Sequence, residues 1–238
     1  MVDNQNILTK NSRYLKVHDL GVSDYQEAWD FQTRLHKELI ACKLENPGDF
    51  PGHSLVLCEH PHVFTLGKSG QEANLLQPLD QMEDIQARFY RINRGGDITY
   101  HGPGQLVAYP ILDLEKLKTD VHWYVRSLEQ CIIDLVREYG IEAGRIEGLT
   151  GVWVGIDTPK PRKICAIGVH LSRWVSLHGL AFNIQTDLHY FNYIVPCGID
   201  PEQKSVTSMS KELLREISLD EIKVKFIQHF LKQFELWQ

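Results

Sequence analysis

Apolar residues recur at helical spacing in three stretches of this chain, and each stretch carries its own start or stop signal. Tyr25, Ala28, Phe31, Leu35 and Leu39 form one stripe behind Ser23-Asp24-Tyr25-Gln26, which fits the capping box that satisfies the first amides of a helix. Tyr124, Leu128, Cys131, Leu135 and Tyr139 form a second stripe over Val121 to Tyr139 and stop at Gly140, a residue suited to the left-handed turn after a helix. Ile222, Phe226, Ile227, Phe230, Leu231 and Phe234 form the third, behind the box Ser218-Leu219-Asp220-Glu221. Between these lie short strand-like runs: 55–58, 63–66, 88–93, 105–112, 151–155, 164–171 and 175–184. Several of the connections are too short for parallel crossovers. The pattern predicts an α+β fold with a mixed, largely antiparallel β-sheet flanked by helices. No internal repeat, low-complexity segment or long linker divides the chain, so one compact unit is expected. Within it, residues 1–49 are read as an N-terminal strand and helix packed on a main body of residues 50–238, with the Pro/Gly-rich loop 46–52 between them.

Composition narrows the class. The 238 residues are 43% hydrophobic and 24% charged, which is ordinary for a globular protein and enough for a sizeable core. No apolar run approaches the roughly 20 residues of a membrane span. The first residues match neither a secretory signal nor a transit peptide, so a cytoplasmic location is expected. Five cysteines, Cys42, Cys58, Cys131, Cys165 and Cys197, are scattered without a CxxC pair, which argues for thiols rather than a disulfide framework. A net charge of −6 argues against a general nucleic-acid binder.

One stretch carries candidate chemistry. Residues 94–105 read RGGDITYHGPGQ, and the glycines either allow turns of positive φ or let a ligand lie against bare main chain. Glycine alone favours the turns. Neither GxxxxGK[ST] nor GxGxxG is present, so a phosphate loop gets no support. Arg94 and His101 flank the segment, and a cation with an imidazole suits an anion or a polarised carbonyl. Cys58, His60 and His62 alternate in CEHPH and in an extended strand would share a face as metal ligands do. Pro61 and the lack of a fourth ligand weaken that reading, and no metal is expected.

The segment Arg94-Gly95-Gly96-Asp97-Ile98-Thr99-Tyr100-His101-Gly102-Pro103-Gly104-Gln105 resembles the signature of the lipoyl(octanoyl) transferase family. Lys163-Ile164-Cys165-Ala166-Ile167-Gly168, Leu177-His178-Gly179-Leu180-Ala181-Phe182-Asn183 and Val195-Pro196-Cys197-Gly198-Ile199 are similar to its other segments, in the same order. The resemblance spans about 50 to 210 and implies the fold shared with biotin protein ligases and lipoate ligases, with 50–238 as the catalytic domain. It implies an octanoyltransferase that moves an octanoyl group from octanoyl-acyl carrier protein, through a thioester at Cys197 assisted by Lys163, to a lysine of a lipoyl domain. The acceptors implied are 2-oxoacid dehydrogenase E2 subunits and glycine cleavage H protein; no cofactor is implied. The implied acyl slot is walled by Arg94, Gly95, Gly96, Asp97, Ile98, Thr99, Tyr100 and His101, then Ala166, Ile167, Gly168, Gly179, Leu180 and Ala181. His62 and His178 are supporting candidates.

The residues are chemically consistent with that implication. A cysteine thiol of pKa about 8.5 is mostly protonated at neutral pH, and a nearby ammonium such as Lys163 would lower it. After acylation the same lysine could take a proton from the attacking amine. Cys165 competes as nucleophile, because in a regular strand it would share a face with Lys163. Arg162, Lys160 and Arg173 are candidates for a basic patch that attracts an acidic carrier. The alternatives are an ATP-dependent lipoate-protein ligase, which also uses a lysine at the position of Lys163 but needs no thiol, and a non-catalytic acyl-carrier-protein binding module.

Overall fold

The computed structural model describes residues 13–46, 48–195 and 205–238. Its strands are β1 (Leu15–Val22), β2 (His53–Glu59), β3 (Val63–Leu66), β4 (Arg88–Arg91), β5 (Ile98–His101), β6 (Gln105–Ile111), β7 (Ala143–Ile146), β8 (Leu149–Val154), β9 (Arg162–Ser172), β10 (Val175–Asn183) and β11 (Ser205–Val206). The helices are α1 (Tyr25–Glu45), α2 (Val121–Arg137), α3 (Met209–Leu213) and α4 (Leu219–Phe234). Among the described residues eight strands form one sheet in the order β1-β2-β6-β10-β9-β8-β7, with β11 beside β9. β1/β2 and β11/β9 pair parallel and the other neighbours antiparallel. A small sheet, β4-β3-β5, stands apart from it.

Burial on both faces explains why β2 and β6 read as near-continuous apolar runs rather than alternating ones, and β10 is buried along its whole length as well. On one face Leu55, Leu57, Leu106, Ala108, Leu180 and Phe182 meet Leu128, Ile132 and Leu135 of α2 and Phe226, Phe230 and Phe234 of α4. On the other, Val56, Val107, Tyr109 and Ala181 meet Ala28, Phe31 and Leu35 of α1. The small sheet has a separate core around Phe64, Ile98, Tyr100 and Phe191.

The three helices begin where their stripes indicate, with one correction. Ser218 Oγ accepts from Glu221 N at 3.4 Å, and Gly140 takes φ +77° beyond the end of α2. The cap of α1, however, is Asp24, whose Oδ1 accepts from Gln26 N at 2.9 Å, and not Ser23. Ser23 is held by the sheet: its N–H donates to Glu59 O at 2.9 Å, and its carbonyl meets His60 Nδ1 at 2.8 Å. The stripe of α1 also buries Gln32 and His36, which an apolar pattern does not reveal.

Gly179 in β10 sits where a Cβ would strike the Ala108 carbonyl of β6 and come within 2.6 Å of Pro110 Cδ. Gly179→Ala is therefore expected to destabilise the protein by about 1–3 kcal/mol through overpacking, read as a lower urea midpoint with an unchanged m-value.

Candidate active site

The small residues of β9 and β10 face the 94–99 loop across a cavity of about 920 Å³. That is towards the upper end of the roughly 300–1,000 Å³ usual for small-molecule sites. Gly95 to Thr99 form one wall; Ala166 to Val169 and Gly179 to Ala181 form the other. The walls meet backbone to backbone. Gly95 N donates to Val169 O at 2.9 Å, and a Cβ on Gly168 would lie 2.8 Å from Gly95 O. The glycines of the 94–105 stretch thus serve both purposes: Gly96 (φ +88°) and Gly104 (φ +76°) make turns, while Gly95 allows close approach.

A buried polar chain runs beneath the cavity. Arg94 Nη2 donates to Thr65 O at 2.6 Å and Thr65 Oγ1 at 3.1 Å. Thr65 Oγ1 is 3.4 Å from His101 Nε2, and His101 Nδ1 is 2.9 Å from Gln105 Oε1. Gln105 Nε2 donates to Asn183 Oδ1 at 2.9 Å, Asn183 Nδ2 to Thr207 O at 2.9 Å, and Thr207 N to Lys163 O at 2.9 Å. Because the Gln105 amide nitrogen is spent as donor, its oxygen must accept, so the network assigns the His101 proton to Nδ1. Burial, with His60 and Arg94 adding to it, pushes the His101 pKa down to about 3. The ring is neutral, and both its nitrogens face protein groups. His101 lines the cavity as a neutral imidazole.

The remaining predicted residues divide. His178 lines the cavity and is neutral, burial and Arg94 lowering its pKa to about 3. It ties elements together at φ +61°: its N–H donates to Gln32 Oε1 of α1 at 3.0 Å, and its Nε2 meets Asn93 Oδ1 at 2.6 Å. Asp97 accepts from Ile98 N at 2.7 Å and Gln71 N at 3.2 Å, so it shapes its own loop. Tyr100 and His62 lie outside the cavity wall. Tyr100 alternates away from Thr99 and His101, and its hydroxyl meets His62 Nδ1 at 2.7 Å. Tyr190 stacks on both rings, at 4.0 Å from His62 and 4.9 Å from Tyr100. In CEHPH only two members converge, Cys58 Sγ with His60 Nε2 at 3.4 Å. His60 Nε2 also meets Tyr109 Oη at 2.9 Å.

Lys163 lines the cavity with Lys160, its Nζ 4.7 Å from the centre of the Trp153 ring. Cys165 does not accompany it. The register passes from Trp153↔Lys163 to Val152↔Cys165, so two steps along β9 match one along β8. This bulge breaks the alternation and sends Ile164 and Cys165 both into the α2/α4 core. Burial pushes the Cys165, Cys58 and Cys131 thiols well up, the reverse of what a nucleophile needs. Cys42 lies on α1, its Sγ donating to Asp49 O at 2.8 Å. Cys197 lies outside the described residues. The chain reaches them from Ile194 and Val195 and returns at Ser205 and Val206, and all four of these residues line the cavity.

Of the basic candidates, Arg162 is engaged by Glu212, Nε at 2.9 Å and Nη2 at 3.0 Å. Arg173 forms the β9–β10 turn at φ +50°, where its carbonyl accepts from Lys43 at 2.8 Å, off the cavity. Gln105 and Asn183 were not singled out from the sequence. Their signal is a polar residue at the end of each of two apolar runs, and the strands pair them directly.

Residues 24–231 match the family model described as the lipoyl protein ligase A/B catalytic domain. The chain belongs to this family. Within it the chain is 53% identical over 227 residues to an octanoyltransferase of Cytophaga hutchinsonii, covering 92% of each. It is 50% identical to one from Flavobacterium johnsoniae, covering 94% of the chain and 98% of the relative. Its fold is that of lipoate protein ligases: the bi-partite ligase of Thermoplasma acidophilum superposes with a TM-score of 0.70 at 18% identity, over 94% of this chain and 85% of that one. The chain is an enzyme, an acyltransferase of the lipoyl protein ligase A/B family.

The burial of three thiols gives a direct check. Iodoacetamide at pH 8 is expected to leave Cys58, Cys131 and Cys165 unmodified in the native protein and to alkylate them in 6 M guanidinium, as read by peptide mass mapping. Native labelling of Cys165 would contradict the bulge.

Proposed function

We propose that this enzyme transfers an octanoyl group from octanoyl-acyl carrier protein to a lysine of a lipoyl domain, by way of a thioester at Cys197, in the cytoplasm. The observation that carries the reading is the cavity itself: glycine-lined, adjoining Lys163, and bordered by the residues on either side of 196–204. The octanoyltransferase names of the relatives at about half identity support the acyl group. The burial of Cys58, Cys131 and Cys165 supports Cys197 as the nucleophile.

In the first step the Cys197 thiolate attacks the thioester carbonyl of the donor, and the carrier leaves as a thiolate that takes its proton from Lys163 Nζ, which is left as the neutral amine. In the second, the acceptor amine attacks the Cys197 thioester, an amide forms, and the cysteine leaves as thiolate. The amine proton passes to Lys163 Nζ, which is cationic again beside the regenerated thiolate. Backbone amides at the meeting of the two walls are suited to holding the tetrahedral oxyanion. One thioester replaces another in the first step, and amide formation drives the second. Acceptors of the class described are the lipoyl domains of 2-oxoacid dehydrogenase E2 subunits and glycine cleavage H protein. The wall cations among the described residues are Arg94, Lys160 and Lys163, and Lys160, exposed at the mouth, suits contact with an acidic donor.

Incubation with octanoyl carrier protein and no ATP should add one octanoyl mass, removable by hydroxylamine and absent in Cys197→Ser. A requirement for ATP, with no thioester formed, would indicate the ligase reaction instead. Tight carrier binding without any acylation would indicate a binding module.

The two roles of Lys163 can be separated. Lys163→Arg keeps a cation that cannot give up its proton, so it should still acylate, more slowly, and then fail to pass the group to the acceptor. Lys163→Ala should impair both steps and raise the pH at which iodoacetamide modifies Cys197. Single-turnover assays of each half-reaction read these outcomes.

A further inference from the structure

Lys163 is held by more than its own strand. Trp153 is its cross-strand partner in β8, fully buried, and its ring centre lies 4.7 Å from Lys163 Nζ. An ammonium at that distance from an aromatic face is attracted by the ring quadrupole, most strongly for tryptophan and in a desolvated setting. The lysine stem is confined as well. Gly151 takes φ +118°, and a Cβ there would lie 3.5 Å from Lys163 Cε and 2.6 Å from the Cys165 carbonyl. Bare backbone therefore gives the stem its channel. Gly151 is in turn fixed by the buried Glu129 of α2, whose Oε1 accepts its N–H at 3.0 Å while Oε2 pairs with Arg145 at 2.7 Å.

The indole does nothing polar in return. Trp153 Nε1 is buried with no hydrogen-bond partner among the described residues, although an unpaired buried donor is a cost that a leucine or phenylalanine would avoid. Its contact with the ammonium is the polar interaction the ring makes here.

We propose that Trp153 is a positioning residue for Lys163, whose indole face holds the Lys163 ammonium at the cavity wall and favours its protonated form. This rests on the reading of Lys163 as the group that assists thiolate formation and then accepts the amine proton. The ring keeps the cation in place while Cys197 is a thiolate. It also sets the pH above which the lysine can serve as base.

Fluorinated tryptophans test this, since fluorine drains the ring quadrupole with almost no change of shape. The five tryptophans are replaced together by mono-, di- and trifluorotryptophan, in the wild type and in a Trp153→Phe background. The second half-reaction is then followed in single turnover against pH. As fluorine is added, the rising limb of the wild-type profile should move progressively to lower pH, by about half a unit to one unit in total. In the Trp153→Phe background it should stay still. Trp153→Leu should shift it the same way, and Trp153→Phe, which keeps a weaker aromatic face, should fall between; thermal melts confirm that each variant is folded. A limb that stays fixed across the fluorinated wild-type series, while Lys163→Ala abolishes transfer, overturns the role of Trp153 and leaves that of Lys163 standing. Wild-type transfer in Lys163→Ala overturns both.

Discussion

The hydrogen bond from Gly95 N to Val169 O is the contact on which the site depends, because it brings two main chains together with no side chains between them. Gly95 and Gly168 each lack the Cβ that would separate the chains. What remains beside the junction is a cavity walled largely by backbone and small residues. Such a wall has polar amides available at its surface and little bulk to exclude an extended acyl chain. The contact also depends on the three-layer fold. β9 and β10 can offer glycine and alanine on one face only because Phe182, Ile164 and Cys165 supply the core on the other.

The polar chain under the cavity follows from the same arrangement. Arg94 turns inward to Thr65 and leaves its loop to the cavity. A buried guanidinium must be hydrogen-bonded to be tolerated, and the chain through His101, Gln105, Asn183 and Thr207 to the Lys163 carbonyl continues that satisfaction across both sheets. Hydrogen bonds link each member to the next. Removing one would leave buried groups unpaired at about 1–3 kcal/mol each, so the chain rigidifies the floor. Neutral His101 and His178, both lowered to about 3, belong to this frame and do not exchange protons near neutral pH.

What was legible in the sequence was what periodicity and capping determine: the three helices, most strands and the antiparallel character of the sheet. The glycine segments were legible as a set, and residues 94–99, 166–168 and 179–181 of them line one cavity. Departures arose where tertiary structure overrides local pattern. Strand alternation puts Lys163 and Cys165 on one face, yet the bulge opposite β8 separates them, and a bulge leaves no mark in the run KICAIG. Alternation correctly takes Tyr100 off the wall that holds Thr99 and His101, although motif adjacency groups all three. Ser23 and Asp24 are both competent caps, and the choice was made by Glu59 and His60, more than 30 residues away in sequence. Gln105 and Asn183 look like strand ends until the register pairs them.

The bulge has a consequence for the chemistry. In a regular β9, Cys165 would stand on the face of Lys163, and an ammonium beside it would lower its pKa and make it a second acyl acceptor next to the base. Turned into the core, it feels burial first, and the Lys163 charge only partly offsets this. The displacement that hides Cys165 is the one that leaves Lys163 in register with Trp153, over the gap at Gly151. One irregularity in one strand thus removes a competing thiol and seats the lysine on an aromatic face. The charge of Lys163 is thereby directed to the cavity, at the border with the segment that holds Cys197.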